Sequence, residues 1–218
     1  MTTAVLPRPD RPSSPVVSTI TLRVGVLLAL WLGLVFALGA DGAFVPDAGA
    51  APLPVFIAFA LPIVAFVFAY RVSADFRELV LNLSPVLATS IQAWRFGGAV
   101  FIALLTYDIL PGAFAWPAGL GDIAIGATAP AFALAIARRP RIAASRGFVI
   151  WNALGILDLV VAVGTGTAIA WFGLGADAAS MNAMPQLPLV LIPAFLVPIF
   201  LMLHITALIQ AKRLTAAA

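Results

Sequence analysis

GFVIWNALGILDLVVAVGTGTAIAWFG, residues 147–173, decides the fold. The stretch exceeds the roughly 20 residues that a helix needs to cross a bilayer. Asn152 and Asp158 interrupt it, yet neither half alone can satisfy its backbone hydrogen bonds in lipid, so the whole reads as one helix. The same argument, carried outward, merges 86–109 around Gln92 and Arg95 and 119–137 around Asp122. With the apolar runs 22–40, 53–71 and 187–211 this gives six spans, an all-α, polytopic transmembrane helical bundle.

Composition agrees. Hydrophobic residues make up 63% of the 218 residues and charged residues 10%, with a mean hydropathy of +1.11, whereas soluble domains are about a quarter charged. Six crossings leave no room for a sizeable soluble domain. We read residues 1–17, rich in Pro, Ser and Arg, as a disordered tail, 18–213 as one transmembrane domain, and 214–218 as a short tail. The first helix also resembles a secretory signal, with a basic segment before it and Ala37-Leu38-Gly39 near its end. Its apolar stretch is longer than the usual signal core of about 7–15 residues, which favours an uncleaved helix.

Lys and Arg orient the spans, because cytoplasmic loops retain positive charge. Arg8, Arg11 and Arg23 precede the first helix, and Arg71 and Arg77 follow the second. Arg95 lies early in the third, Arg138, Arg139, Arg141 and Arg146 link the fourth to the fifth, and Lys212 and Arg213 follow the sixth. Every basic residue thus falls on one side, while the opposite loops carry only Asp41, Asp47, Asp108 and Asp177. Both termini are expected in the cytoplasm, in the inner membrane of a bacterium whose preference for Arg over Lys suggests a GC-rich genome. Tyr70, Trp94 and Trp151 then fall toward the inner interface, and Tyr107, Trp116 and Trp171 toward the outer. Phe76, Leu79, Val80 and Leu83 recur at helical spacing, which predicts a short amphipathic helix along the cytoplasmic interface. Ser84 and Pro85 read as the N-cap and first position of the next span.

The lipid bilayer is therefore the first partner. Net charge is +3, but the basic residues are spread over span ends instead of gathered on a soluble face, so no nucleic-acid partner is expected. The chain has no cysteine and one histidine, which excludes disulfides, thiolate chemistry, and haem or zinc bound by several imidazoles; neither cofactor nor metal is expected. No phosphate-binding loop, zinc-protease motif or nucleophile elbow occurs, and the one lysine, Lys212, stands at the end of the last span instead of within it. Pro185-Gln186 matches the Pro-Gln motif of PQ-loop carriers over two residues only, and has no second copy, so it identifies no family.

An ionisable group in hydrocarbon costs about 2.5–3.5 kcal/mol or more, so each one faces the bundle interior or serves a function. The candidates for solute or proton binding are Gln92, Arg95, Asp122, Asn152, Asp158 and His204. Counted inward from the basic ends, Asn152, Arg95 and His204 share the inner part of the bilayer and Asp158 lies nearer the middle. We expect a cytoplasm-facing cluster in which Arg95 pairs with Asp158, flanked by Gln92, Asn152 and His204. The competing expectation is that these residues only tie helices together, with Arg95 snorkelling to the interface. Asp122 reads as the start of the fourth helix near the outer face, or as part of an outer vestibule with Asp108. A carboxylate beside a movable cation is the usual basis of proton coupling. The leading reading is a small-solute or ion permease, proton-linked and working as a homo-oligomer. The others are a membrane enzyme acting on a lipid or quinone, with Asp158 or Asp122 as acid/base, and a non-catalytic subunit of a larger complex.

Overall fold

The computed structural model of the chain describes residues 15–47, 50–173 and 178–216, and every regular element among them is helical. In chain order these are α1 (Pro15–Ala40), α2 (Leu53–Val72), α3 (Ala74–Asn82), α4 (Pro85–Ile91), a 3₁₀ segment (Gln92–Gly98), α5 (Ala99–Thr106), α6 (Gly112–Arg138), α7 (Arg146–Phe172) and α8 (Val197–Ala216). A π-helical turn, Ile192–Leu196, leads into α8. Six units are long and apolar enough to cross a membrane, because α4, the 3₁₀ segment and α5 form one span, Pro85–Thr106, and the π turn extends α8 into Ile192–Ala216. The protein is a multi-pass membrane bundle.

Local chemistry sets most of the boundaries. Ser73 caps α3 by accepting from Phe76 N at 3.1 Å, Ser84 caps α4 from Leu87 N at 3.3 Å with Pro85 at the first position, and Ser145 caps α7 from Phe148 N at 3.2 Å. Each hydroxyl satisfies one of the amides that a helix start leaves unpaired. Asp108, at φ +55°, turns the chain out of α5, and Gly173, at φ +63°, ends α7 in the left-handed conformation.

The structure moves several boundaries. The fourth span begins at Gly112, not at 119, because Pro111 starts the helix and Pro117 is absorbed into its early turns. The third span is not uniform α-helix but narrows to 3₁₀ geometry over seven residues. Residues 15–17 are helical, as are 214–216, whereas the tail expected over residues 1–14 lies outside the described residues, as does Asp177. Trp151 is buried in the bundle, its Nε1–H donating to Thr128 Oγ1 at 2.9 Å, instead of belonging to an interfacial belt. Trp94 is exposed but sits nine residues into its span, near the middle.

Burial concentrates in the third to sixth spans. Two packed layers stand above and below their centre, one around Phe101, Phe114, Ala115 and Ile169, the other around Ile125, Phe148, Trp151 and Ala207. α2 has no buried residue. α1 leans on the start of the sixth span through Val35, Val190 and Ala194, with Trp31 and Phe195 rings 4.8 Å apart.

Candidate functional site

The 3₁₀ segment places the centre of the site. With three residues per turn, Gln92, Arg95 and Gly98 align on one face instead of drifting around the helix, and all three are buried. That face meets the small-residue side of α6, where Gly119 and Gly126 let the backbones approach; a Cβ on Gly126 would fall on the backbone of Arg95 and Phe96. Close contact of this kind is characteristic of small residues in membrane helices.

Arg95, with a fully buried side chain, is held from three helices. Its Nε–H donates to Asp122 Oδ1 of α6 at 2.7 Å. Its Nη2 donates to Asp158 Oδ2 of α7. Its Nη1 donates to Gly155 O at 3.2 Å and faces His204 Nε2 of α8 at 3.0 Å. A guanidinium has five N–H groups in a fixed planar fork, so one residue can join two carboxylates, a carbonyl and an imidazole. His204 Nδ1 lies 2.8 Å from Asn152 Oδ1, whose Nδ2 donates to Phe148 O at 2.9 Å. The Trp151 ring stands edge-on to the imidazole, centroids 5.5 Å apart.

Five of the six candidates thus form one connected network: Arg95, Asp122, Asp158, Asn152 and His204. Gln92 stands one 3₁₀ turn from Arg95, and its amide donates to Phe200 O at 3.1 Å instead of to the network. Its Oε1 is a buried acceptor without a partner among the described residues.

Two expectations are corrected. Asp122 is not a helix-start residue, because α6 begins ten residues earlier and carries it to mid-span. Asp108 remains at the end of α5. Arg95 and His204 lie at mid-span, deeper than expected and level with Asp122 and Asp158: at about 1.5 Å per residue, Arg95 and Asp122 sit about 15 Å into their spans and Asp158 and His204 about 18 Å, whereas Asn152, about 9 Å into its span, keeps the shallower place expected of it. Arg95 does not snorkel, since its head is sealed between two carboxylates. Glycines make room for these groups. A Cβ on Gly98 would fall on Asp122, one on Gly121 on Asp158, and one on Gly155 on the His204 ring. The pairing of a glycine on one helix with a large polar group on the next could not be read from one sequence without the packing.

A cavity of about 110 Å³ reaches Asp122 from the end of the bundle opposite the basic residues. Phe56, Phe59, Phe101, Phe114 and Met181 stand on its walls, and Asp122 is the one charged residue that lines it among the described residues. Beside it a groove between α2 and α7 shares Phe56, Phe59, Val163 and Thr167 with the cavity wall. Toward the basic end, the layer of Phe148, Trp151 and Ile125 closes the bundle. No group of three or more His, Cys, Asp or Glu that could hold a metal ion occurs among the described residues.

No curated protein and no solved structure matches the chain. A family model, described as a domain of unknown function (DUF8737), matches residues 52–211, from the start of the second span to the last turns of the sixth, and takes in the whole cluster. The chain belongs to the DUF8737 family.

Proposed function

We propose that this protein is a permease for a small solute or ion, coupled to protons and oriented in the cytoplasmic membrane with its basic face inward. The observation that carries the reading is the charge count at mid-span. One guanidinium faces two carboxylates, so with both carboxylates ionised the cluster holds one negative charge in excess. A proton or a bound cation makes it neutral. Uncompensated charge in hydrocarbon is expensive, so occupancy by one or the other is tied to the state of the site.

Two further features support movement. The cavity gives the cluster access from one end, and the aromatic layer of Phe148 and Trp151 packs across the side toward the other, the arrangement an alternating-access carrier has in one of its states. The 3₁₀ segment carrying Arg95 lies between two α-helical halves of one span, and a short 3₁₀ stretch inside a helix is a natural hinge. Rewinding it by one hydrogen-bond register would turn Arg95 relative to its carboxylates.

Purified protein in liposomes loaded with a pH-sensitive dye tests the reading. Addition of a transported solute from a chemically diverse panel moves protons across the membrane, and Asp158→Asn removes that proton movement. Solute-independent dye signals across the panel, in liposomes that hold an imposed pH gradient, would reject it.

The groove between α2 and α7 favours a second reading. A lipid or quinone entering sideways would meet Asp122 as an acid or base, and product formation in the same liposomes distinguishes this from flux.

A further inference from the structure

We infer that the ligand of the cavity is an amphipathic organic cation, a molecule with an ammonium group and a compact apolar or aromatic body. This rests on the permease reading and names the substrate class of the same site. The wall is apolar and rich in aromatic and thioether groups: Phe56, Phe59, Phe101, Phe114, Met181 and Met184. Aromatic faces attract cations, and more strongly where water is excluded. Asp122 lines the same cavity as its one charged residue among those described.

The sign of the ligand follows from what surrounds that carboxylate. Arg95 from the third span pairs with Asp122 but is fully buried behind it and does not line the cavity. Asp158 from α7 takes the other side of the same guanidinium, and His204 from α8 touches Arg95 through Nε2. The sum over these four groups, with a neutral imidazole, is one negative charge. An anion would add to it, and a neutral polar solute would leave it uncompensated. An organic cation cancels it and takes the place of the proton, which also explains why solute and proton would exchange. The groove between α2 and α7 offers such molecules a path from the adjoining leaflet, because Phe56 and Phe59 belong to both hollows.

The test uses tritiated benzyltrimethylammonium and the full-length protein in detergent. Its neutral carbon isostere, neopentylbenzene, and tetramethylammonium, which keeps the charge without the ring, serve as competitors, with a short-chain phosphatidylcholine as the zwitterionic one. The expected result is saturable binding, with the isostere and tetramethylammonium each weaker by about tenfold or more. Phosphatidylcholine does not displace the ligand, acid does, Asp122→Asn abolishes binding, and Phe59→Ala weakens it. Melting temperature and elution volume establish that each variant is folded, and Asp122→Glu restores binding if the charge is what matters. Competition by the isostere as strong as by the cation overturns the inference, as does displacement by phosphatidylcholine alone, or unchanged binding in folded Asp122→Asn. The two proposals fail separately. Proton-linked flux of a neutral or anionic solute without cation binding rejects the ligand class and keeps the permease, whereas cation binding without flux of any solute does the reverse.

Discussion

His204 Nδ1 lies 2.8 Å from Asn152 Oδ1, and this one contact sets the tautomer of the only histidine in the chain. The orientation of the Asn152 amide follows from its Nδ2, which donates to Phe148 O, so Oδ1 is the acceptor and the imidazole Nδ1 carries the hydrogen. Nε2 is then a bare acceptor toward Arg95 Nη1. Nitrogen-15 NMR of histidine-labelled protein gives one pair of ring signals without assignment ambiguity. We expect a protonated Nδ1 and an unprotonated Nε2 at neutral pH, and Asn152→Leu alters that pattern. The reverse tautomer would show that the network is wired differently.

Arg95 joins three helices through a planar fork, and a point charge does not replace it. Breaking a buried pair by removing one partner costs about 3–5 kcal/mol, because the other charge is left uncompensated, while removing the whole set is often close to neutral. Arg95→Met therefore lowers the melting temperature in detergent sharply, and Arg95→Lys recovers only part of the loss. The triple variant Arg95→Met, Asp122→Asn, Asp158→Asn is more stable than Arg95→Met alone. A triple variant no better than the single one would show that packing, and not charge balance, holds this centre.

The sequence made the spans legible because the bilayer imposes a length and a hydropathy that no other solvent demands, and residues 147–173 satisfied both once the halves around Asn152 and Asp158 were joined. It also made Ser84 and Pro85 legible as a helix start, since capping chemistry is local. Depth was misread where local chemistry misleads. The glycines around Pro117 put the expected helix start at 119, yet the helix takes in the proline in its second turn, giving up the one bond that an amide there would make to Ala113 O. That shift of seven residues moved Asp122 from the outer face to the centre. The 3₁₀ segment left no local signature, because its geometry is set by the close approach of Gly126 to the backbone at residues 95 and 96, a property of packing.

Glycines in this bundle divide into two groups that substitution separates. Gly164 has open space where a Cβ would go, so Gly164→Ala is neutral or stabilises by up to about 1 kcal/mol through helix propensity. At Gly126 a Cβ meets backbone, which cannot swing away, and at Gly155 it meets the His204 ring. Both alanine variants lose stability, by about 1–3 kcal/mol or more, with Gly126→Ala the worse. Thermal unfolding of the three variants gives the ranking, and a benign Gly126→Ala would contradict the helix approach described above.

Gln210 ties the interfacial helix to the sixth span, a role that its position near the end of an apolar run did not announce. Its buried Nε2 donates to Val80 O at 2.9 Å and to Leu83 O at 2.8 Å, satisfying carbonyls that the end of α3 would otherwise leave unpaired. Gln210→Leu keeps the volume and removes both bonds. Hydrogen exchange over residues 74–83 should accelerate in that variant while the central cluster stays protected. Exchange unchanged within error would assign the anchoring of α3 to its apolar face alone, through Val80 and the Phe66–Phe76 ring contact.

The absence of cysteine makes orientation directly measurable, because one introduced thiol is the only reactive one in the chain. Arg141 and Asp41 are both exposed and lie at opposite ends of the bundle, the first in the link before α7 and the second just after α1. With Arg and Lys crowded at the Arg141 end, we expect that end in the cytoplasm, since basic loops resist translocation. A membrane-impermeant maleimide applied to intact spheroplasts should label Asp41→Cys at once and Arg141→Cys only after the membrane is opened. Labelling of both in intact cells would mean that the number of crossings between them is even, which the three spans between them, Leu53–Val72, Pro85–Thr106 and Gly112–Arg138, do not allow unless one of them fails to cross. The reverse pattern would keep the six-helix bundle but turn the cavity toward the cytoplasm. Asp122 would then be reached from inside the cell, and the proposed carrier would be in its inward-facing state.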